Sequence, residues 1–405
     1  MSTTDDSIPV ATVYDRRRSR NTPDGGHRPP RQGKRPIHRG SVLVVVLVTL
    51  VFTAAMLMAF IDKASTDLIV ESRVVEARRL RGEAYSALEV TLAVLENFRQ
   101  ADGGALRSPA EGWSDPLGFA GWEPSEGRKV EIAFEDESGK LSLPHVDAVT
   151  LVALFKTWEM PQSDAERLAD ALMSWMKKDY VTTSTFLPDY ENGSIPYTVP
   201  GRPLRSFQEL AAIDVAHDVF YDEDGRPNAL WSRFANAVSL YDYQQPNLNG
   251  ARPDVLAAMG GLDPSQQQSM ADYLAGAGAY QRQGPGYFQS LRDAAPVIGP
   301  ANTKGFGIKI QALRIHLTVH EGRAVYRLNA LIAPPQGAKT VPASATGGTP
   351  AASTPSTATA GNTPPTAGAT GTTATKKLNY PFTVLEITEN DEVLPVPPVS
   401  PPDNV

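Results

Sequence analysis

Between Ser41 and Ile61 the chain carries no formal charge, and Val, Leu, Ala, Met and Phe fill nearly every position. As an α-helix, about 21 residues reach roughly 31 Å, the depth of a bilayer's hydrocarbon core. The run is long enough to span a membrane. Asp62 and Lys63 open a polar continuation that remains compatible with a helix. In it Leu68 and Val75 sit two turns apart, Leu88, Leu92 and Leu95 recur at spacings of four and three, and no Gly or Pro intervenes before Gly82. The pattern predicts a helix from Ser41 to about Arg99, stopped at Ala101-Asp102-Gly103-Gly104. The two halves do not share one apolar stripe. One long helix that bends or changes partners near Gly82, and a membrane anchor followed by a separate helix or coiled coil, both fit.

The period then changes. Residues 129–134 alternate as a strand, Asp136-Glu137-Ser138-Gly139 reads as a turn, and residues 140–143 read as its hairpin partner. Helices are predicted over 147–158 and 163–176, the second opened by a capping box of Ser163 and Glu166, with Leu168, Leu172 and Trp175 on one face. Ser206 and Glu209 form a second box, starting a short helix that ends near Ile213, and residues 180–205 between them read as loop. Residues 253–259, the Gly260-Gly261 corner, and a helix from Asp263-Pro264 to Leu274 make a helix-hairpin-helix, with Asp263 as N-cap. Residues 308–320 and 323–332 flank Glu321-Gly322 as a long hairpin, and 380–387 give one more strand. Residues 334–376 are Ala, Thr, Gly, Pro and Ser, a flexible insert, and from Pro395 the chain is Pro-rich. Strands on both sides of a helical block can pair into one sheet, making the block an insertion in an α+β domain.

At 405 residues, 41% hydrophobic and 20% charged, the chain has material for two or three domains. The net charge is -7, and Arg28, Arg31, Lys34, Arg35 and Arg39 all precede the apolar run, so the remainder is more acidic still. That disfavours general attraction to nucleic acid. The same basic cluster orients the N-terminus to the cytoplasm and everything after residue 61 outside. No clean Ala-x-Ala follows the run, which is longer than a secretory signal core, so ordinary signal peptidase cleavage is disfavoured. The absence of cysteine removes disulfides, thiolate catalysis and Cys-type metal sites.

His145, His217, His316 and His320 lie in no motif, although the spacing of the last two puts both on one face of a strand. No Gly-x-Ser-x-Gly, Walker loop or zincin helix occurs, so there is no enzyme signal. Asp222-Glu223-Asp224-Gly225 reads as a turn. Gly260-Gly261 offers backbone N-H groups of the kind that grip phosphate, yet Asp254, Asp263 and Asp272 surround them and only Arg252 is cationic. A packing module is the preferred reading over DNA contact.

Arg39-Gly40 followed by Ser41-Val42-Leu43-Val44-Val45, then Asp136-Glu137-Ser138-Gly139-Lys140-Leu141, Ala171-Leu172-Met173-Ser174-Trp175, Pro203-Leu204-Arg205-Ser206 with Glu209-Leu210, and Asn247-Leu248-Asn249-Gly250-Ala251 stand in a specific order. In this order the chain resembles the K-type minor pseudopilins of the type II (general) secretion pathway. The resemblance implies cleavage by a prepilin peptidase after Gly40, with Ser41 as the new amino-terminus. Most pilins carry Glu at the fifth mature position and K-type subunits lack it; here that position is Val45. A carboxylate in lipid is costly unless paired, so a subunit with none ahead of it is better without one. Departures from the family pattern are Ser41 in place of Phe or Met, the long leader, Ser142 and Pro144 where Asn is common, and the insert before Tyr380.

By the same resemblance the fold class is α+β: a long N-terminal membrane-spanning pilin helix packed on an antiparallel sheet, with a large inserted all-helical (SAM-like or helix-hairpin-helix) domain. Residues 1–40 would be a basic disordered leader, 41–100 the helix with 41–61 transmembrane, 101–145 plus 305–390 the sheet domain, and 146–304 the inserted domain. Residues 334–376 would be a linker within the sheet domain and 391–405 a flexible tail. The implied function is non-enzymatic, at the tip of the pseudopilus, helping to initiate assembly and the export of folded proteins across the outer membrane. Implied partners are I- and J-type minor pseudopilins, the major pseudopilin, the prepilin peptidase and the inner-membrane platform. The implied location is the inner membrane, single-pass, with the N-terminus cytoplasmic and the main domain periplasmic. No cofactor is expected. Family members hold calcium beside an acidic motif after the Trp-bearing helix, and the matching positions here are Asp179, Asp189 and Glu191, with Lys177 and Lys178 replacing two expected acids, so a solvated loop is the alternative. The rival function is a bitopic binding module or DNA-uptake pilin using its helix-hairpin-helix.

Overall fold

The computed structural model describes residues 41–184, 190, 196–282, 284–342 and 381–390. One α-helix, α1 (Ser41–Ala101), covers both halves of the first pattern. The anchor-plus-separate-helix alternative therefore falls. What changes along α1 is burial. Val42 to Arg79 are exposed almost throughout, and from Leu80 one face is buried, with Leu80, Ala84, Ala87, Leu88, Thr91, Leu92 and Leu95 recurring at the three- and four-residue steps of a helix stripe. The chain divides into a unit up to Val70 and a second from Glu71 onward.

In the second unit α1 is followed by α2 (Pro116–Ala120), β1 (Arg128–Asp136), β2 (Leu141–Ser142), α3 (Ala148–Lys156), α4 (Gln162–Met176), α5 (Asp214–Phe220) and α6 (Ala229–Ala237). Then come β3 (Val238–Ser239), α7 (Pro253–Gly260), α8 (Pro264–Leu274), α9 (Leu291–Ile298), β4 (Leu313–Glu321), β5 (Ala324–Ala333) and β6 (Thr383–Glu389). The sheet is antiparallel in the order β1-β4-β5-β6. Its inner face carries Ile315, Leu317, Val319, Leu328, Ala330 and Ile332, which join the buried stripe of α1 in one apolar core. Trp113, wholly buried, closes that core edge-on to Phe134 at 5.0 Å. A second core holds the helices, with Leu151, Phe155, Leu168, Leu172, Phe234 and Phe288 at its centre. The α+β class expected from the sequence is what the structure shows: a stem helix on an antiparallel sheet, and a helical block lying in sequence between β1 and β4.

Several local expectations are corrected. β1 makes no hairpin with the residues after it. Its partner is β4, with Asp136 opposite Leu313, while β2 pairs in parallel with β3 in a separate two-stranded sheet. The Asp136–Gly139 sequence does turn the chain, but Glu137–Gly139 is a 3-10 turn capped by the Asp136 carboxylate on the Ser138 N-H, and it leads out of the sheet. α4 begins at Gln162 behind Pro161, so Ser163 lies inside the helix and caps nothing. Ser206 caps a 3-10 turn over Phe207–Ala212, and Glu209 accepts from the Arg205 N-H and from Arg202 instead of completing a box. α5 and α6 went unread: they are short, and their apolar positions come in clusters. The helix-hairpin-helix stands as α7 and α8, with Asp263 and Gln266 capping reciprocally. The β4-β5 hairpin also stands, starting at Leu313 instead of residue 308.

Sheet and helical block exchange main-chain bonds where two turns meet. The turn at Glu137–Gly139 packs backbone to backbone against a second 3-10 turn, Leu248–Gly250. Asn247 N-H donates to Ser138 O at 2.7 Å, Arg252 N-H to Gly139 O at 3.3 Å, Ser138 N-H to Ala312 O at 3.2 Å, and Leu248 N-H to Gly307 O at 2.9 Å. Gly139 has no room for a side chain: a Cβ there would overlap the Gly250 carbonyl. Gly139→Ala must therefore push the two turns apart, and we expect it to cost about 3 kcal/mol or more of stability, measured as a lower urea midpoint. Gly82→Ala, which meets nothing within 4 Å, is the control that should hold or gain stability.

Candidate functional site

The features with functional content are the stem, its attachment to the sheet, and the joint. Every residue from Val42 to Ile61 is exposed, and α1 is long and apolar enough to cross a membrane. Thr49 and Thr53 return their hydroxyls to carbonyls one turn back, at 2.9 Å each, which lets two polar side chains sit in an apolar helix. Val45 lies on α1 with its side chain 59% exposed. Ser41 is the first residue of α1, and Gly40 lies outside the described residues.

The other predicted site residues do not converge. Asp179 is exposed in the turn after α4, and Asp189 and Glu191 lie outside the described residues. Among the described residues no group of three or more His, Asp or Glu is placed to hold a metal ion. The buried acid of that region is Asp170, which sequence reasoning missed. Its carboxylate accepts from Tyr180 Oη at 2.6 Å and from the backbone N-H groups of Thr183 and Ser184 at 2.8 and 2.5 Å, so it organises the loop after α4. His316 and His320 do share the outer face of β4, as their spacing implied. Each faces its own glutamate: His316 Nε2 lies 3.5 Å from Glu135 and His320 Nε2 3.9 Å from Glu131.

Two ionic clusters fasten the stem, and neither was legible beforehand. Glu83, on α1, accepts from Ser125 N-H and Oγ at 2.8 Å each and from Arg128 Nη1 at 2.8 Å, and Arg128 Nε reaches Glu321 at 2.9 Å. Burial raises the affinity of Glu83 for a proton, but the bonds from Ser125 and Arg128 outweigh it and hold the carboxyl below its ordinary value. Nearer the start of the packed stripe, Arg81 grips Glu389 of β6 through Nε at 3.0 Å and Nη2 at 2.7 Å, and Tyr85 Oη donates to the same carboxylate at 2.7 Å. The partners lie more than 300 positions apart in sequence, which is why no local pattern announces them.

The joint carries a band of charge. Lys140 Nζ lies 3.1 Å from Glu135 and 2.9 Å from Glu137, Arg252 Nη2 lies 2.6 Å from Glu135, and Arg314 reaches Glu137 and Glu386 at 3.8 and 3.5 Å. The His316 bond, with Lys140 and Arg252 close by, holds Glu135 far below the usual carboxylate range in spite of its burial. Two of the sequence motifs, Asp136–Leu141 and Asn247–Ala251, meet here in space.

Residues 137–222, which begin at this joint, match the family model described as Type II secretion system (T2SS), protein K. Over these residues the chain is similar to protein K. Its matched segment runs from the turn that leaves β1 through β2, α3, α4 and α5, and contains the Ala171–Trp175 and Pro203–Ser206 motifs; Asn247–Ala251 lies beyond it. No curated protein matches the chain. Among solved structures the chain is similar, at 14% identity and a TM-score of 0.46, to a chain in the crystal structure of the GspK-GspI-GspJ complex from the enterotoxigenic Escherichia coli Type 2 Secretion System. That likeness covers 66% of this chain and 96% of the other.

The clasp on β6 yields a test with a pH sign. The bonds from Arg81 and Tyr85 lower Glu389 from its ordinary value to about 2. A carboxyl lowered on folding contributes stability that is complete above its unfolded value and is lost as pH falls through the folded one. Glu389→Gln should therefore lower the unfolding midpoint by no more than about 2 °C at neutral pH, since the clasp is exposed. That difference should vanish between about pH 4.5 and pH 2. Thermal scans of both forms across that range check it.

Proposed function

We propose that this chain is a K-type minor pseudopilin: a single-pass inner-membrane precursor, cleaved after Gly40, whose stem packs among sibling stems and whose periplasmic domain caps the tip of the type II secretion pseudopilus. The observation that carries this reading is α1 itself. One helix contains both an uncharged, wholly exposed 42–61 segment and the buried stripe that seats the sheet, and it leads into the residues similar to protein K. A stem without a carboxylate at Val45 cannot make the ionic contact that a pilin makes with the amine of a neighbour ahead of it, which suits the last position of a fibre. Stem association in lipid would rest on close packing of apolar and small side chains. Partners in this reading are I- and J-type minor pseudopilins, the major pseudopilin, the prepilin peptidase and the inner-membrane platform. The role is mechanical and non-enzymatic, with residues 146–304 as a helical insertion in the pilin-like sheet domain.

The rival DNA-binding reading meets a specific obstacle at α7 and α8. The first turn of α8 is already capped by the Asp263 carboxylate on the Gln266 N-H at 2.8 Å, with Gln266 returning the bond at 3.0 Å. Gly260 is pressed against Leu262, the Asn302 backbone and Phe306, and Arg252 is spent on Glu135. A phosphate would meet a carboxylate where it needs a donor.

Amino-terminal sequencing of the membrane-extracted protein should begin at Ser41, and Gly40→Ala should accumulate precursor. A mature chain that starts at Met1 overturns the reading. Val45→Glu should leave processing intact and reduce secretion, because it places an unpaired carboxylate at the tip. Duplex DNA at ordinary salt should not be retained by the protein.

A further inference from the structure

A polar hollow of about 540 Å³ lies between the segment after β3 and the turn after β5. Four carboxamides line it, Gln244 and Gln245 on one wall, Gln311 and Gln336 on the other. None of these four side chains is hydrogen-bonded to another of the described residues. Gln311 is held through its main chain alone, its N-H on Ser138 Oγ at 2.8 Å and its carbonyl accepting from Ala338 N-H at 2.8 Å. The frame behind the amides is, by contrast, fully bonded. Asp242 and Lys339 exchange both main-chain bonds across the two walls, at 2.8 and 3.0 Å, and the hydroxyl of buried Tyr243 lies within 3.0 Å of the carbonyls of Glu137 and Lys140. His145 Nε2 lies 2.6 Å from the Asp242 carboxylate.

Gln336 is unusual in its backbone as well. It is the second central residue of the turn that Gly337 N-H closes on Pro334 O at 2.8 Å, and its φ is +66°, a place where glycine is the ordinary choice because a side chain is crowded there. Strain of this kind gathers at binding sites. Here it sets a carboxamide on the wall of the hollow.

The donor set selects the ligand. A carboxamide presents a donor and an acceptor side by side, so four around one void match a partner whose own groups do both, as hydroxyls do. Asp242 and Lys339 cancel in formal charge, which leaves little net pull on an anion or a cation. An extended peptide is gripped through main-chain bonds, and those of Asp242 and Lys339 are already spent on each other. A second hollow of about 160 Å³ shares His145 and Gln244 with the first, and its wall of Leu141, Val146, Pro246 and Met259 offers an apolar surface to the C-H face of a sugar ring. Asp147, also at that second hollow, is occupied in capping α3. We propose that the joined hollows are a binding site for a neutral oligosaccharide, its hydroxyls read by Gln244, Gln245, Gln311 and Gln336.

The test uses the full chain in a detergent without a sugar headgroup, with cellotriose and the N-acetylglucosamine trimer as probes and tetraalanine as the peptide control. Saturation-transfer NMR should show at least one trimer bound and the peptide free. Gln336→Gly removes an amide and relieves the backbone, so the unfolding midpoint should hold or rise while affinity for the bound trimer falls about tenfold. Gln311→Ala and Gln244→Ala should each weaken it about fivefold, and Gln208→Ala, an exposed amide outside the hollow, should leave it unchanged. Neither trimer bound, the peptide bound in their place, or affinity unmoved in Gln336→Gly overturns the proposal.

Discussion

The architecture depends on a close approach of two backbones. The chain leaves the sheet after Asp136 and returns at Leu313, its register partner on the neighbouring strand. Everything between must begin and end within one strand spacing. Gly139 against Gly250 is what makes that possible, because a Cβ at Gly139 would overlap the Gly250 carbonyl and one at Gly250 would overlap the Asp136 side chain. The helical block keeps its own apolar core, so its stability is internal, whereas its position is set by the joint, by Tyr241 on Glu386 and by the paired main-chain bonds of Asp242 and Lys339. Division of labour of this kind separates what folds a part from what aims it.

The stem is held differently. Its apolar stripe supplies the burial, and two long-range ionic clusters select how the helix lies on the sheet. Glu83 and Arg128 sit at the margin of the core, only about a tenth exposed. A pair so enclosed contributes less to stability than its short distances imply, since much of the attraction is spent on desolvation. Its value lies in discrimination: a helix rotated or slipped by one residue would strand a buried carboxylate. The clasp on Glu389 ties in β6, the strand that follows the insert.

Elements whose evidence is local were legible in the sequence. The stem helix announced itself through an uncharged run and a heptad-like stripe, α7 and α8 through Gly260-Gly261 and Asp263-Pro264, and the β4-β5 hairpin through Glu321-Gly322 between alternating runs. Partner choice was not legible. Alternation over 129–134 marks a strand without saying which strand it meets, and a turn sequence directly after it made a hairpin the economical reading; the true partner is β4. Ser163 and Glu166 satisfied the capping pattern, yet Pro161 already ends the preceding segment and starts α4 one residue earlier. The two motifs at Asp136–Leu141 and Asn247–Ala251 were noted separately, and nothing in their spacing foretold that they touch. Asp170 likewise looked like one more polar residue on a helix, although its three donors lie ten to fourteen positions ahead.

The ends of the segment between β5 and β6 are pinned independently of what lies between them. Lys339 bridges Asp242 through paired main-chain bonds, at 2.8 and 3.0 Å, and Phe382 is buried in the core beneath the sheet. Closing a longer excursion between two fixed posts costs only a logarithm of its length, about 0.6 kcal/mol for each doubling. A change in the number of residues between those two posts therefore has little thermodynamic consequence.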